Sequence, residues 1–144
     1  MADIWVLVAD RAEARIFSCA RLGQDLELLE THTNPQGRAH VGELISDTAS
    51  RVHDSKGNAR HSMAEAQDVK REDSVHFARE LNKRLEQAQQ QGKFAKLAVI
   101  AAPAMLGHLR EVMHKPLAAL LVAELDKDLV HADAGAIARA LEQR

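Results

Sequence analysis

The side chains best suited to chemistry in this sequence are cations. Arg38, Arg51, Lys56, Arg60, Lys70 and Arg71 all fall within one segment, residues 34–73. Such charges can track phosphates, because phosphate neutralisation supplies much of the affinity of RNA binding. Gly57 and Asn58 lie among them, where a backbone can approach a ligand closely. Acidic Glu43, Asp47, Asp54, Glu65 and Asp68 dilute the patch, so the expected binding is weak and sensitive to salt. The segment holds no Phe, Tyr or Trp to stack on a base, which argues against sequence-specific reading of single strands.

Other constellations are thinner. His32, His40, His53 and His61 contain no tight pair such as His-x-x-x-His. A zinc site needs three or four converging ligands, so these read as solvated loop histidines, and no metal or other cofactor is expected. Asp10 and Asp126 fall near strand ends, as a two-metal nuclease would require, but such a site needs several facing carboxylates to hold ions about 3.5–4 Å apart. The neighbouring strand Lys96–Ala102 contributes none. Asp10 and Arg11 therefore read as turn residues, and Asp126-Lys127-Asp128 as a strand exit with local ion pairs. Ser18, Ser46, Ser55 and Ser62 have no identifiable His/Asp set, and Cys19 reads as core. Ala102–Gly107 sits at the carboxyl end of a parallel strand, where open α/β sheets favour ligands. One glycine is not a phosphate loop, and Gly107 is expected to serve tight helix packing. The expectation is a protein without catalytic residues, not an enzyme.

The elements that must position these residues follow from periodicity. Ile4-Trp5-Val6-Leu7-Val8 is apolar without interruption, the mark of a strand covered on both faces. Asp10–Glu13 turns the chain into a second strand through Phe17, and Leu26–Thr33 reads as a third, completing an antiparallel meander. Residues 34–73 break the pattern as a long loop, with a short helical piece around 41–50. Ser74 is the expected N-cap of a helix to about Gln91, marked by Phe77, Leu81, Leu85 and Ala88, an i,i+4 Glu80–Arg84 pair, and Gly92 at its end. Leu97–Ala102 is a second doubly covered strand, followed by a helix through Leu106, Leu109, Val112 and Met113. Leu121–Asp126 reads as a fifth strand, and Asp133 caps a last helix bearing Ile137, Ala138 and Leu141. Right-handed crossovers place strand four beside strand one. The result is one α/β domain over residues 1–144, with a five-stranded mixed sheet in order 3-2-1-4-5, a ribonuclease H-like arrangement.

Size and charge narrow the class. A chain of 144 residues with net charge −2 is one domain by size and is not coated uniformly in positive charge. A single cysteine forms no intramolecular disulfide, and the first apolar run is too short for a signal peptide or a membrane span. A cytoplasmic location is the expectation.

Four motifs in order carry a resemblance: Val6–Phe17, His76-Phe77-Ala78-Arg79-Glu80-Leu81, Leu106-Gly107-His108-Leu109-Arg110, and Glu124-Leu125-Asp126-Lys127-Asp128-Leu129. Together they resemble the bacterial host-attachment protein family, across essentially the whole chain. That family is similar to the middle domain of archaeal/eukaryotic-type peptide-chain release factors, whose Gly-Gly-Gln loop enters the ribosome. The resemblance implies contact with the ribosome or tRNA through residues 34–73. The family name implies a different role, in bacterial attachment to host cells through a protein partner. Where Gly-Gly-Gln would precede the long helix, this chain has Val69-Lys70-Arg71-Glu72-Asp73-Ser74, so peptide release by that mechanism is not expected.

Overall fold

The computed structural model describes residues 3–35 and 58–143, and within 58–68 the backbone alone. Five strands form one sheet: β1 (Ile4–Ala9), β2 (Glu13–Cys19), β3 (Glu27–Thr33), β4 (Lys96–Ala101) and β5 (Leu121–Leu125). Their order is β3-β2-β1-β4-β5, as expected. β1 pairs antiparallel with β2 and parallel with β4, and β4 pairs parallel with β5. The helices are α1 (Asn58–Gln90), α2 (Pro103–Val112), α3 (Lys115–Ala118) and α4 (Ala134–Glu142).

Alternation along β1 explains why its run is apolar throughout. Trp5, Leu7 and Ala9 face a core closed by Phe77, Leu81 and Leu85 of α1 and by Leu109 of α2. Ile4, Val6 and Val8 face a second core with Ile137 and Leu141 of α4. Every β1 residue is buried. Arg15 ties the second core to the chain leading into α4: its Nη1 donates to the carbonyls of Val130 (3.1 Å) and Ala132 (2.7 Å), and its guanidinium lies over the Phe17 ring. Asp133 caps α4 as expected, accepting from the Ala136 N–H at 2.7 Å. Cys19 is buried, and burial pushes its thiol pKa up, which suits a core residue.

Both sheet edges carry bulges. Leu29 has no partner between the Ile16–Glu30 and Phe17–Leu28 pairs of β3, and Val122 has none between the Leu97–Leu121 and Ala98–Ala123 pairs of β5. These two residues and Leu28 are the exposed large apolar side chains among the described residues. A bulge twists an edge strand and disrupts its ladder, which protects against pairing with another chain.

Three expectations need correction. The long helix begins at Asn58, not Ser74, so Ser74 lies in mid-helix and residues 58–73 are not loop. No proline or glycine interrupts Asn58–Gln91, and Ala59, Met63, Ala64, Glu65 and Ala66 are good helix formers. The apolar repeat from Phe77 onward marked only where the helix is covered. Second, Arg84 pairs not with Glu80 but with Glu30 of β3, while Glu80 lies 3.7 Å from His76. Third, a Cβ at Gly107 would meet nothing within 4 Å, so tight packing is not its reason. The helix end is as expected: Gly92 has φ +72°, and the Lys93 N–H returns to the Ala88 carbonyl at 3.0 Å.

Candidate functional site

The carboxyl ends of β1 and β4 meet α1 and the start of α2 around a cleft of about 540 Å³. Its lining includes Asp10 and Arg11 from the β1–β2 turn, Lys70, Arg71 and Ser74 from α1, and Ala102, Ala104, Met105 and His108 around α2. Two of the sequence-derived cations, Lys70 and Arg71, are thus brought together with Arg11. None of the three forms an ion pair with a described residue. Arg60 lies in the first turn of α1, where only its backbone is described. Arg38, Arg51 and Lys56, the helical piece at 41–50, His40, His53, Ser46 and Ser55 lie outside the described residues; His61 and Ser62 are described by backbone alone.

Local chemistry builds each wall. The Asp10 carboxylate accepts the N–H groups of Ala12 and Glu13, both at 2.8 Å, and so closes the turn that presents Arg11. Asn34, buried at the end of β3, joins the walls. Its amide donates to the Arg11 carbonyl at 2.9 Å and to the Asp73 carbonyl at 3.4 Å, and its own N–H reaches the Ala12 carbonyl at 2.8 Å. Asn34→Ala is expected to lower stability by about 1–2 kcal/mol, the cost of stranding buried acceptors. Asn34→Asp is expected to cost at least as much, since a carboxylate cannot donate and faces carbonyl oxygens. Chemical denaturation measures both, and a loss below about 0.5 kcal/mol for either variant contradicts the bridging role.

Asp10 and Asp126 line different hollows. Asp126 stands beside the Arg110–Glu124 pair, whose Nε–Oε2 distance is 2.6 Å. Among the described residues no three His, Cys, Asp or Glu side chains converge as metal ligands.

A second hollow, about 890 Å³, runs between the end of β3 and α1. Two of its lining residues, His32 and Arg84, converge on Glu30 of β3. The Arg84 Nε donates to both carboxylate oxygens at 2.8 and 3.0 Å, Nη2 donates to Oε2, and His32 Nε2 lies 2.8 Å from Oε1. Hydrogen bonds from Arg84 outweigh desolvation and hold the Glu30 pKa at about 2, well below the usual carboxylate range; the same pairing raises that of Arg84. The Arg84 guanidinium also lies 5.8 Å from the centre of the Trp5 ring. Farther along α1, Asn82 donates to Glu86 at 2.8 Å, and Glu86 lies 2.9 Å from His114. Arg84 fastens α1 to the sheet edge; its charge is committed to Glu30.

Sequence reasoning missed Arg11, Ser74 and His108 as cleft residues. The useful signal is topological: Ala102–Gly107 follows the carboxyl end of a parallel strand, and the β1–β2 turn lies at the same edge.

Comparison with known proteins agrees with the motifs. A search among curated proteins finds no match. The sequence profile of a family described as "Protein required for attachment to host cells" matches residues 5–141. Because that match spans nearly the whole sheet and nearly all of the described helices, the chain belongs to the family of proteins required for attachment to host cells.

Proposed function

We propose that this protein is a non-catalytic factor that contacts RNA of the translation machinery, the ribosome or tRNA, through residues 34–73. The observation that carries this reading is the placement of Lys70 and Arg71 on α1 beside Arg11, with no described carboxylate paired to any of them. Cations grouped at one edge, with no ion-pair partner among the described residues, are what a phosphate backbone requires. The resemblance to the release-factor middle domain, and to a ribonuclease H-like sheet, gives the reading its direction. Residues 69–74, the counterpart of the Gly-Gly-Gln position, are helical here, which supports binding without peptide release. Among the described residues no helix is long and apolar enough to cross a membrane, and the proposed site of action is the cytoplasm.

Co-sedimentation with ribosomes at low and high salt tests the reading. The parent protein is expected to pellet at low salt and to be released as salt rises. The double variant Lys70→Ala/Arg71→Ala is expected to bind more weakly, with the salt slope reduced by about 1 for each lost phosphate contact. Equal pelleting of parent and variant would remove these cations from the interface.

A second reading has the family description in its favour: action in attachment to host cells through a protein partner. The hollow between β3 and α1, lined by both charges and by Phe77 and Leu81, is one described surface that could serve it. Recovery with the cell envelope, together with no pelleting at any salt, would favour this reading.

A further inference from the structure

The cleft at the carboxyl edge holds more than cations. We propose that it is a pocket for a phosphate monoester, such as the phosphate end of a mononucleotide. Lys70 and Arg71 also serve the RNA reading, but the pocket stands whether or not that reading does.

Three kinds of donor line the same space. Arg11, Lys70 and Arg71 supply charge, and no described residue neutralises them by ion pairing. The start of α2 supplies backbone N–H groups. The first bond within α2 runs from the Leu106 N–H to the Ala102 carbonyl at 2.9 Å, and Ala102 at the cap position offers no side-chain acceptor. Pro103 has no N–H, which leaves those of Ala104 and Met105 at the positive end of the helix dipole. Ser74 supplies a hydroxyl. It is 8% exposed, lines the cleft, and no described residue hydrogen-bonds its hydroxyl.

Two carboxylates, Asp10 and Asp128, line the same cleft as the three cations, which leaves the lining net positive. Asp10 Oδ1 is already held by two N–H groups of its own turn. A cleft of about 540 Å³ lies within the roughly 300–1,000 Å³ of small-molecule sites. Its wall of Ala102, Ala104 and Met105 suits an uncharged portion attached to the anion.

The donor set favours a phosphate end over a passing backbone. A monoester carries about −1.5 to −2 charge and three acceptor oxygens, enough to engage cations, N–H groups and hydroxyl together. An internal diester has one charge and two free oxygens, and leaves part of the set unused.

Titration of the ¹⁵N-labelled full chain with adenosine 5′-monophosphate, inorganic phosphate and adenosine tests the proposal. Both phosphates are expected to shift the Ala104 and Met105 amide signals, while adenosine leaves them in place. The monophosphate is expected to bind at least about tenfold more tightly than adenosine, as lost charge-assisted hydrogen bonds imply. Lys70→Gln/Arg71→Gln is expected to weaken it by a similar factor, with Lys93→Gln, just beyond the far end of α1, unchanged. Circular dichroism checks the folding of the variants, and the parent's amide shifts do not depend on them. An oligoribonucleotide with and without a 5′-phosphate identifies the source: preference for the phosphorylated form points to RNA ends, equal binding to a free nucleotide. Equal affinity for monophosphate and adenosine, or unmoved amides at millimolar phosphate, overturns the pocket. If ribosomes then still pellet the protein in a Lys70- and Arg71-dependent way, the RNA reading survives alone; monophosphate binding without pelleting leaves the pocket alone.

Discussion

Arg84→Ala is expected to cost the fold up to about 3 kcal/mol near pH 7 and very little near pH 2. The magnitude follows from Glu30, whose pKa falls from 4.5 to about 2 in the folded chain, chiefly through Arg84 with a smaller share from His32, at about 1.4 kcal/mol per unit. Both side chains are about three-quarters buried, so solvent screening removes only part of this. The sign follows from linkage. A carboxyl with a depressed folded pKa adds stability that is fully present above its unfolded pKa and is lost as pH falls through the folded value. The difference between parent and variant is therefore expected to hold steady above about pH 5 and to shrink between about pH 5 and 2. Glu30→Gln is expected to flatten the same window while keeping the shape of the site. Lysine at position 84 is expected to recover little, because it cannot span two carboxylate oxygens with a rigid fork. Urea denaturation of the three variants across this pH range is the measurement. A loss at pH 7 below about 1 kcal/mol, or one that does not shrink on acidification, would show that the pair acts as an ordinary surface salt bridge.

Leu81→Ala is expected to have a comparable or larger effect through packing. Leu81 is 1% exposed and lies in the core with Trp5, Leu7, Phe77 and Leu85. Truncation at such a site costs about 2–5 kcal/mol, combining lost transfer free energy with an unfilled cavity. For a chain of this size, that is a fall in Tm on the order of 10 °C. Leu81→Met nearly conserves volume and is expected to cost less than about 1.5 kcal/mol. Differential scanning calorimetry of both variants separates the cavity from a general disturbance of α1. If Leu81→Ala melted within about 2 °C of the parent, α1 would not be seated on the sheet as described. The consequence reaches the cleft, because this seating holds the helix that presents Lys70, Arg71 and Ser74.

Much of the sheet is legible in the sequence. The apolar runs at Ile4–Val8 and Leu97–Ala102 required cover on both sides, and that placed β1 and β4 inside the sheet. Asp133 and Gly92 announced helix boundaries through local backbone chemistry, an N-cap carboxylate and a left-handed residue. The start of α1 was not legible, because an apolar repeat reports where a helix is covered rather than where it begins. Ser74 looked like a cap for that reason.

Pairings across the chain were decided by tertiary structure alone. Arg84 had Glu80 at helical spacing, yet β3 offers Glu30 with a geometry that the fork of Arg84 can meet at both oxygens. The cleft likewise gathers a turn after β1, the middle of α1 and the start of α2, all far apart in sequence. Asn34 spans two of those walls with one buried amide. Periodicity and capping act within a few residues, so the sequence by itself determined the strands, their order and the covered parts of the helices. Which cations, hydroxyls and free N–H groups share a space depends on register, crossover and helix seating, and those are properties of the assembled chain.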